Sequence, residues 1–138
     1  MQIRRTPGTP RPWGSAPTPY EELGGEDRVK ALVNAFYDIV EESSPVLTSM
    51  LPADTSVSRL KLFEFLSGWM GGPQLYWERR GHPRLRLRHA PFAIDEFAAD
   101  EWARCMDEAL VRAGVEGPIE AFLATELRSV AVGLRNRL

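Results

Sequence analysis

Two histidines stand out in the sequence, because imidazole is the side chain that most often serves as a metal ligand or a proton carrier near neutral pH. His82 precedes Pro83 in a segment rich in Gly and Pro, where a loop-bracing or solvent-exposed role is expected. His89 has Leu85 and Phe92 at helical distances, so its ring is expected to emerge among apolar neighbours. These residues alone leave two interpretations of His89 open: a ligand, or a partly buried histidine that is only hydrogen-bonded.

Other common reactive motifs do not occur in the sequence. The absence of HExxH, CxxC, GxSxG, GxGxxG and P-loop patterns argues against a classical zinc site, a hydrolase nucleophile and a phosphate-binding loop. Cys105 is the only cysteine, which excludes an intrachain disulfide and favours a reducing, cytoplasmic location. It lies on the apolar face of a predicted helix, so we expect a small buried hydrophobe rather than a nucleophile.

Charge and hydropathy exclude further classes of function. The formal net charge is −2, which gives no indication of a nucleic-acid partner or an anionic membrane. No apolar run approaches the roughly 18 residues that a membrane-spanning helix needs. The chain of 138 residues is long enough for one domain with its own core.

The elements that must position these residues are predicted to be helices. Apolar residues recur at helical spacing in four long stretches, and no alternating strand pattern is present. The predicted long helices cover about residues 26–42, 55–70, 95–113 and 118–134. Residues 74–87 are predicted to be a connection with at most one helical turn, because they contain Gly81 and Pro83.

The domain is predicted to begin at Thr18. Thr18, Pro19 and Glu21 are typical of a capping box, which predicts a short opening helix. Residues 1–17 are dense in Pro, Gly, Ser and Thr and are predicted to be a flexible tail. The sequence therefore predicts an all-α domain over residues 18–138.

Five segments of the chain closely resemble the group II truncated haemoglobins. They are YEELGG at 20–25, NAFYDIV at 34–40, SRLKLFEFLSGW at 58–69, GGPQLYWERRGHPRLRLRHAPFAI at 71–94 and DEWARCMDEAL at 100–110. The resemblance extends from Tyr20 to about Leu134, with the motifs in order. It implies a globin fold shortened to a two-over-two helical sandwich around haem b, the iron protoporphyrin IX.

The same resemblance implies a role for individual residues. His89 is the implied proximal ligand of the haem iron, and a neutral imidazole nitrogen is the usual donor there in globins. Tyr37 and Trp102 are the implied distal hydrogen-bond donors, with Phe36 packed beside Tyr37. Two such donors are expected to slow the release of dioxygen.

Other residues are implied to line the cofactor. Leu62 and Phe65 occupy distal positions, and Phe92 follows the proximal histidine. Ser58 stands near the position where many globins keep a distal histidine. Leu51 stands where the family usually has an aromatic residue, so a third distal donor is not expected.

The arginines near His89 either lie in a loop that faces solvent or pair with the haem propionates. A guanidinium pairs well with a carboxylate, which makes Arg84 and Arg88 the candidates for these contacts. Tyr76 is the candidate hydroxyl partner.

The resemblance thus implies a protein that binds dioxygen and other diatomic gases. Two alternatives stay open: a haem enzyme of the peroxidase or nitric-oxide dioxygenase type, and a haem-free helical interaction module. A homodimer and an electron-donating reductase are the implied protein partners, whereas nucleic acid and membrane are not.

Overall fold

The predicted helix starts are present in the structure, a computed structural model that describes residues 11–137. The backbone N–H of Glu21 donates to the Thr18 hydroxyl over 3.1 Å, so the predicted cap is confirmed. Asp95 caps another helix by accepting from the Ala98 N–H at 2.8 Å. Gly24 ends the first helix at a φ of 118°, a left-handed conformation that glycine adopts without steric cost.

Eight α-helices form within the described residues. They are α1 (Pro19–Leu23), α2 (Glu26–Ser43), α3 (Pro45–Thr48), α4 (Ser56–Trp69), α5 (Leu75–Arg80), α6 (Leu85–His89), α7 (Glu96–Arg112) and α8 (Pro118–Gly133). Between residues 11 and 137 there is no strand, only an isolated bridge between Arg11 and Gly14. The all-α prediction is therefore confirmed. None of these helices is long and apolar enough to cross a membrane.

The four long helices form two layers. In one layer α2 packs on α4, in the other α7 packs on α8, and α2 crosses α7 to join them. Their facing sides bury a continuous core that includes Val29, Leu32, Leu66, Met106, Leu110, Leu123 and Leu127. Cys105 lies in this core with no exposed surface, as expected of a small hydrophobe. The arrangement is the predicted two-over-two sandwich.

The folded part of the chain extends further towards the N-terminus than predicted. Residues 11–17 form a turn in which the Trp13 indole N–H donates to the Ala16 carbonyl at 2.9 Å. The Trp13 ring packs edge-on against Phe122 of α8, with ring centroids 5.3 Å apart. Trp13 thus anchors residues 11–17 to the domain, although the Pro-rich composition of this segment predicts that it is flexible. Residues 1–10 of the predicted tail lie outside the described residues.

Candidate functional site

A cavity of about 530 Å³ lies between the two layers, close to His89. This volume is in the range of roughly 300–1,000 Å³ that is typical of small-molecule and cofactor sites. Most of its wall is apolar, and α2, α4, α6, α7 and α8 all contribute to it. The lining residues include Val40, Leu47, Met50, Leu51, Leu62, Phe65, Leu66, Leu85, Phe92, Ile94, Ala98, Leu127, Val130, Ala131 and Leu134.

His89 is the last residue of α6 and lines this cavity. Its Nδ1 lies 2.7 Å from the backbone carbonyl oxygen of Leu85. Because a carbonyl oxygen can only accept, Nδ1 carries a proton in this arrangement, and in the neutral imidazole Nε2 keeps its lone pair. The hydrogen bond to the preceding helical turn therefore fixes both the tautomer and the ring orientation, as is usual for a metal-binding histidine.

Tyr37 comes from α2, where it is buried and lines the same cavity. Its hydroxyl donates to the backbone carbonyl of Ser58 on α4 over 3.4 Å, a long hydrogen bond that a better acceptor would replace. Burial raises the pKa of Tyr37 to about 12, while the nearby charge of Arg59 acts in the opposite direction. The phenol is therefore protonated at neutral pH and is available as a donor.

Three aromatic rings connect the two layers at the cavity. The rings of Phe36 and Tyr37 meet edge-on with centroids 5.2 Å apart, and the Phe36 ring lies 5.1 Å from that of Trp102 on α7. Such pairs are worth about 0.5–1.5 kcal/mol beyond the burial of their surface. Phe36 thus holds the phenol and the indole in a fixed relation, and both face the cavity.

Comparison with known proteins agrees with this geometry. The profile of the family described as "Bacterial-like globin" matches residues 18–136. The chain is 41% identical over 119 residues to Group 2 truncated hemoglobin YjbI from Bacillus subtilis (strain 168), which covers 86% of this chain and 89% of that protein. The chain belongs to the bacterial-like globins and, among them, to the group II truncated haemoglobins.

Solved structures of truncated haemoglobins share its fold. The cold-adapted truncated haemoglobin of Pseudoalteromonas haloplanktis TAC125 superposes with a TM-score of 0.84 at 40% identity, over 88% of this chain and 99% of that one. The truncated oxygen-avid haemoglobin of Bacillus subtilis superposes with a TM-score of 0.80 at 40% identity, over 86% of this chain and 99% of that one. Membership of this family implies a haem cofactor.

The residues present fit such a cofactor. The truncated haemoglobin offers an apolar cavity, one imidazole nitrogen with a free lone pair at its wall, and the cationic side chains of Lys61 and Arg88 in the lining. An apolar slot with an imidazole donor suits an iron porphyrin, and cations at the lining suit its two carboxylates.

Most residues that the sequence pointed to line the cavity. His89, Tyr37, Trp102, Phe36, Leu51, Leu62, Phe65, Tyr76, Arg88 and Phe92 all contribute to the wall, and so does Ser58. Leu51 lies in the lining and gives the wall an apolar group at that point. Lys61, Met50 and Ile94 also line the cavity, although the sequence did not indicate them.

Arg84 is the exception among the predicted contacts. It is exposed and is not among the lining residues, and its backbone adopts a φ of 47° directly before α6. Its N–H donates to Nδ1 of His82 over 2.9 Å, so His82 braces the loop, as expected. By contrast, Arg88 lies 5.8 Å above the ring of Tyr76, and its Nε donates to the Pro83 carbonyl at 2.9 Å. The structure thus brings together Arg88 and Tyr76 but not Arg84.

Sequence reasoning missed the role of Glu64. This carboxylate on α4 is 1% exposed, and it accepts from Arg79 at 2.9 Å and from Arg80 at 2.6 Å. Burial raises the pKa of Glu64, but the hydrogen bonds from Arg80 and Arg79 outweigh burial and bring the pKa below its ordinary value. The sequence does contain a hint of this site, because Glu64 is the only acid in residues 56–69 and lies between two phenylalanines in a helix that is otherwise largely apolar.

This ion cluster joins α5 to α4. The sequence predicted at most one helical turn in residues 74–87, whereas the structure forms α5 and begins α6 there. Isolated helices of this length are unstable in water, so tertiary contacts must hold them. Glu64 supplies such a contact at the end of α5 and thereby holds Tyr76 in the cavity wall.

Proposed function

We propose that this truncated haemoglobin binds haem b with His89 as the iron ligand, and that it holds dioxygen or a similar diatomic gas with Tyr37 and Trp102. Haem supplies an iron atom with a coordination position that takes a small gas. The chain supplies the imidazole that holds this iron, an apolar cavity that excludes water, and two hydrogen-bond donors.

The observation that carries the proposal is the hydrogen bond between His89 and Leu85. A histidine whose Nδ1 is already hydrogen-bonded has one ring nitrogen left for a further partner, and His89 lines a large apolar cavity. Here Nδ1 is satisfied at 2.7 Å by the carbonyl of the preceding turn, and the same ring lines the cavity. A histidine that would hold an iron atom needs this combination, with one ring nitrogen fixed by a partner and the other left for the metal.

The donors in the cavity indicate slow gas release. A hydrogen bond to a charged or strongly polarised group is worth about 1.5–3 kcal/mol, and about 1.4 kcal/mol corresponds to a tenfold change in affinity. The hydroxyl of Tyr37 has only a long bond to Ser58 to give up, so little is lost when it turns towards a ligand. The Bacillus subtilis haemoglobin with the same fold is described as oxygen-avid, which supports the proposal.

Arg88 and Tyr76 are the residues that we assign to the propionates. The hydrogen bond from Arg88 Nε to the Pro83 carbonyl orients the guanidinium and leaves its two terminal nitrogens for a carboxylate. Arg84 is a weaker candidate, because it does not line the cavity.

The test is a comparison of the two histidines. We expect purified wild-type protein to show a Soret band and about one haem per chain, with ferrous and carbonyl spectra of a histidine-ligated haem. His89→Ala is expected to lose or shift this band, because no other imidazole lines the cavity among residues 11–137. His82→Ala is the matched control and is expected to retain the band. A haem-free wild-type protein, or equal spectra for wild type and His89→Ala, would contradict the proposal.

A further inference from the structure

The guanidinium of Arg59 on α4 contacts four polar side chains. Its Nη2 lies 2.9 Å from Asp38 and 3.4 Å from Glu41, and its Nη1 lies 3.1 Å from the Asn34 side chain. Its Nε donates to Thr55 at 3.0 Å. The side chain is 22% exposed, so the guanidinium is largely enclosed between α4 and the outer face of α2.

The same guanidinium lies over the aromatic ring of Tyr37. The distance from its central carbon to the ring centroid is 5.6 Å, which is within the range of a cation–π interaction. The hydroxyl of Tyr37 reaches the carbonyl of Ser58, the residue directly before Arg59. Arg59 therefore contacts the face of the Tyr37 ring, and the carbonyl of the preceding residue accepts from the Tyr37 hydroxyl.

A cation at this place has an electrostatic consequence as well as a steric one. Positive charge beside a phenol stabilises negative charge on its oxygen, which makes the O–H a stronger hydrogen-bond donor. Burial and Arg59 act on Tyr37 in opposite directions, and only the arginine favours donation. Asp38 and Glu41 hold the guanidinium in place from the solvent side.

We propose that Arg59 is a positioning residue for Tyr37, which fixes the phenol in the cavity wall and strengthens its hydroxyl as a donor to the bound gas. The inference rests on the proposed function and adds a residue that does not itself line the cavity. If Arg59 only joined α4 to α2, its removal would loosen the protein without acting through the Tyr37 hydroxyl.

A double-mutant cycle separates these two roles. The variants are Arg59→Gln, Arg59→Lys and Tyr37→Phe, together with Arg59→Gln in the Tyr37→Phe background. The matched control is Arg112→Gln, because Arg112 also makes an ion pair with α2, at Glu42 over 3.1 Å, and is not among the lining residues of the cavity. The measurements are the dissociation rate of dioxygen by stopped flow and the C–O stretching frequency of the carbonyl form.

We expect Arg59→Gln to speed dioxygen release about two- to tenfold, the range that a partly enclosed cation–π contact implies. The C–O stretch should shift to higher frequency, as expected for a weaker donor. In the Tyr37→Phe background the same substitution should leave both quantities unchanged. Arg59→Lys should fall between wild type and Arg59→Gln, because it keeps the charge but loses the planar fork.

Two results would overturn the inference. One is an unchanged release rate in Arg59→Gln while Tyr37→Phe speeds release. The other is equal acceleration by Arg59→Gln in both backgrounds, which would assign Arg59 to joining the helices alone. If Arg59→Gln does not fold, Arg59→Lys still tests the contact.

A readout without gas binding keeps this inference separate from the proposed function. The chain has three tyrosines, so the ring carbon next to the hydroxyl of Tyr37 can be assigned in protein labelled with ¹³C-tyrosine. Arg59→Gln should shift this resonance and Arg112→Gln should not. An unchanged resonance would refute the contact whether or not the protein binds haem, whereas a shift without gas binding would refute the proposed function alone.

Discussion

The two-layer sandwich and the segment that carries His89 are held together by different interactions. Helices α2, α7 and α8 contain 18, 17 and 16 residues and bury continuous apolar faces against one another. Helices α5 and α6 contain six and five residues, and α6 has no buried residue at all. The sandwich depends on buried apolar area, whereas the segment of residues 75–89 depends on a few polar anchors.

The two regions form opposite sides of the proposed haem site. The sandwich carries Tyr37 and Trp102 and is called the distal wall, and residues 75–89 carry His89 and are called the proximal segment. A large apolar core stabilises the distal wall through many small contributions, so no single contact decides its shape. The proximal segment has few polar anchors: Glu64 binds α5, His82 accepts from the N–H of Arg84, and the Leu85 carbonyl orients His89. Single substitutions should therefore affect the two regions in different ways.

The largest effect is expected from a cavity in the sandwich. Leu123 of α8 has no exposed surface, and Leu123→Ala should lower the free energy of unfolding by about 2–5 kcal/mol through lost apolar burial and the space left behind. Urea unfolding followed by circular dichroism measures this loss. Val111→Ala is the control, since Val111 is 69% exposed and should change stability by less than about 0.5 kcal/mol. Equal losses in the two variants would contradict a sandwich that depends on burial.

The sandwich is also the part that the sequence predicted well. The helix expected over residues 26–42 is observed as Glu26–Ser43, and the one expected over 55–70 as Ser56–Trp69. Apolar spacing and the Gly and Pro residues that flank these stretches are local signals, so the bounds could be predicted without tertiary contacts.

The proximal segment could not be predicted in the same way. Helix α5 is too short to be stable alone, and one of its tertiary contacts joins Arg79 to Glu64, 15 residues earlier, a pairing that local sequence does not report. The roles proposed for Tyr37 and Trp102 were implied only by the resemblance to a family, whereas apolar neighbours at helical spacing had already singled out His89. The hydrogen bond between His89 and Leu85 and the exposure of Arg84 both depend on where α6 begins. Gly81 and Pro83 lie just before that point and make it hard to predict from sequence.

The second prediction breaks a polar anchor rather than the core. Glu64→Gln keeps the volume but removes the charge that two arginines bind, so it should cost about 1–3 kcal/mol of stability. Hydrogen exchange should increase in α5 and leave the amides of α2 and α7 protected. Glu42→Gln is the matched control, because its ion pair with Arg112 is exposed and should contribute about 0–1 kcal/mol. Uniform loss of protection in all helices would show that the two regions are not independent.

The smallest expected effect is the dependence of this anchor on pH. The pKa of Glu64 lies below its ordinary value in the folded protein, so its contribution is fully present above the pKa of the unfolded chain, about 4.3. It is lost as the pH falls through the lower folded value. The stability difference between wild type and Glu64→Gln should therefore be constant from pH 7 to about 5 and narrow below that. Glu101, whose pKa is also lowered, by the hydrogen bond from Arg104, is present in both proteins and cancels in the difference. A stability difference between wild type and Glu64→Gln that widens in acid would contradict this expectation. It would mean that the arginines do not keep Glu64 ionised and that α5 is bound by the protonated carboxyl instead.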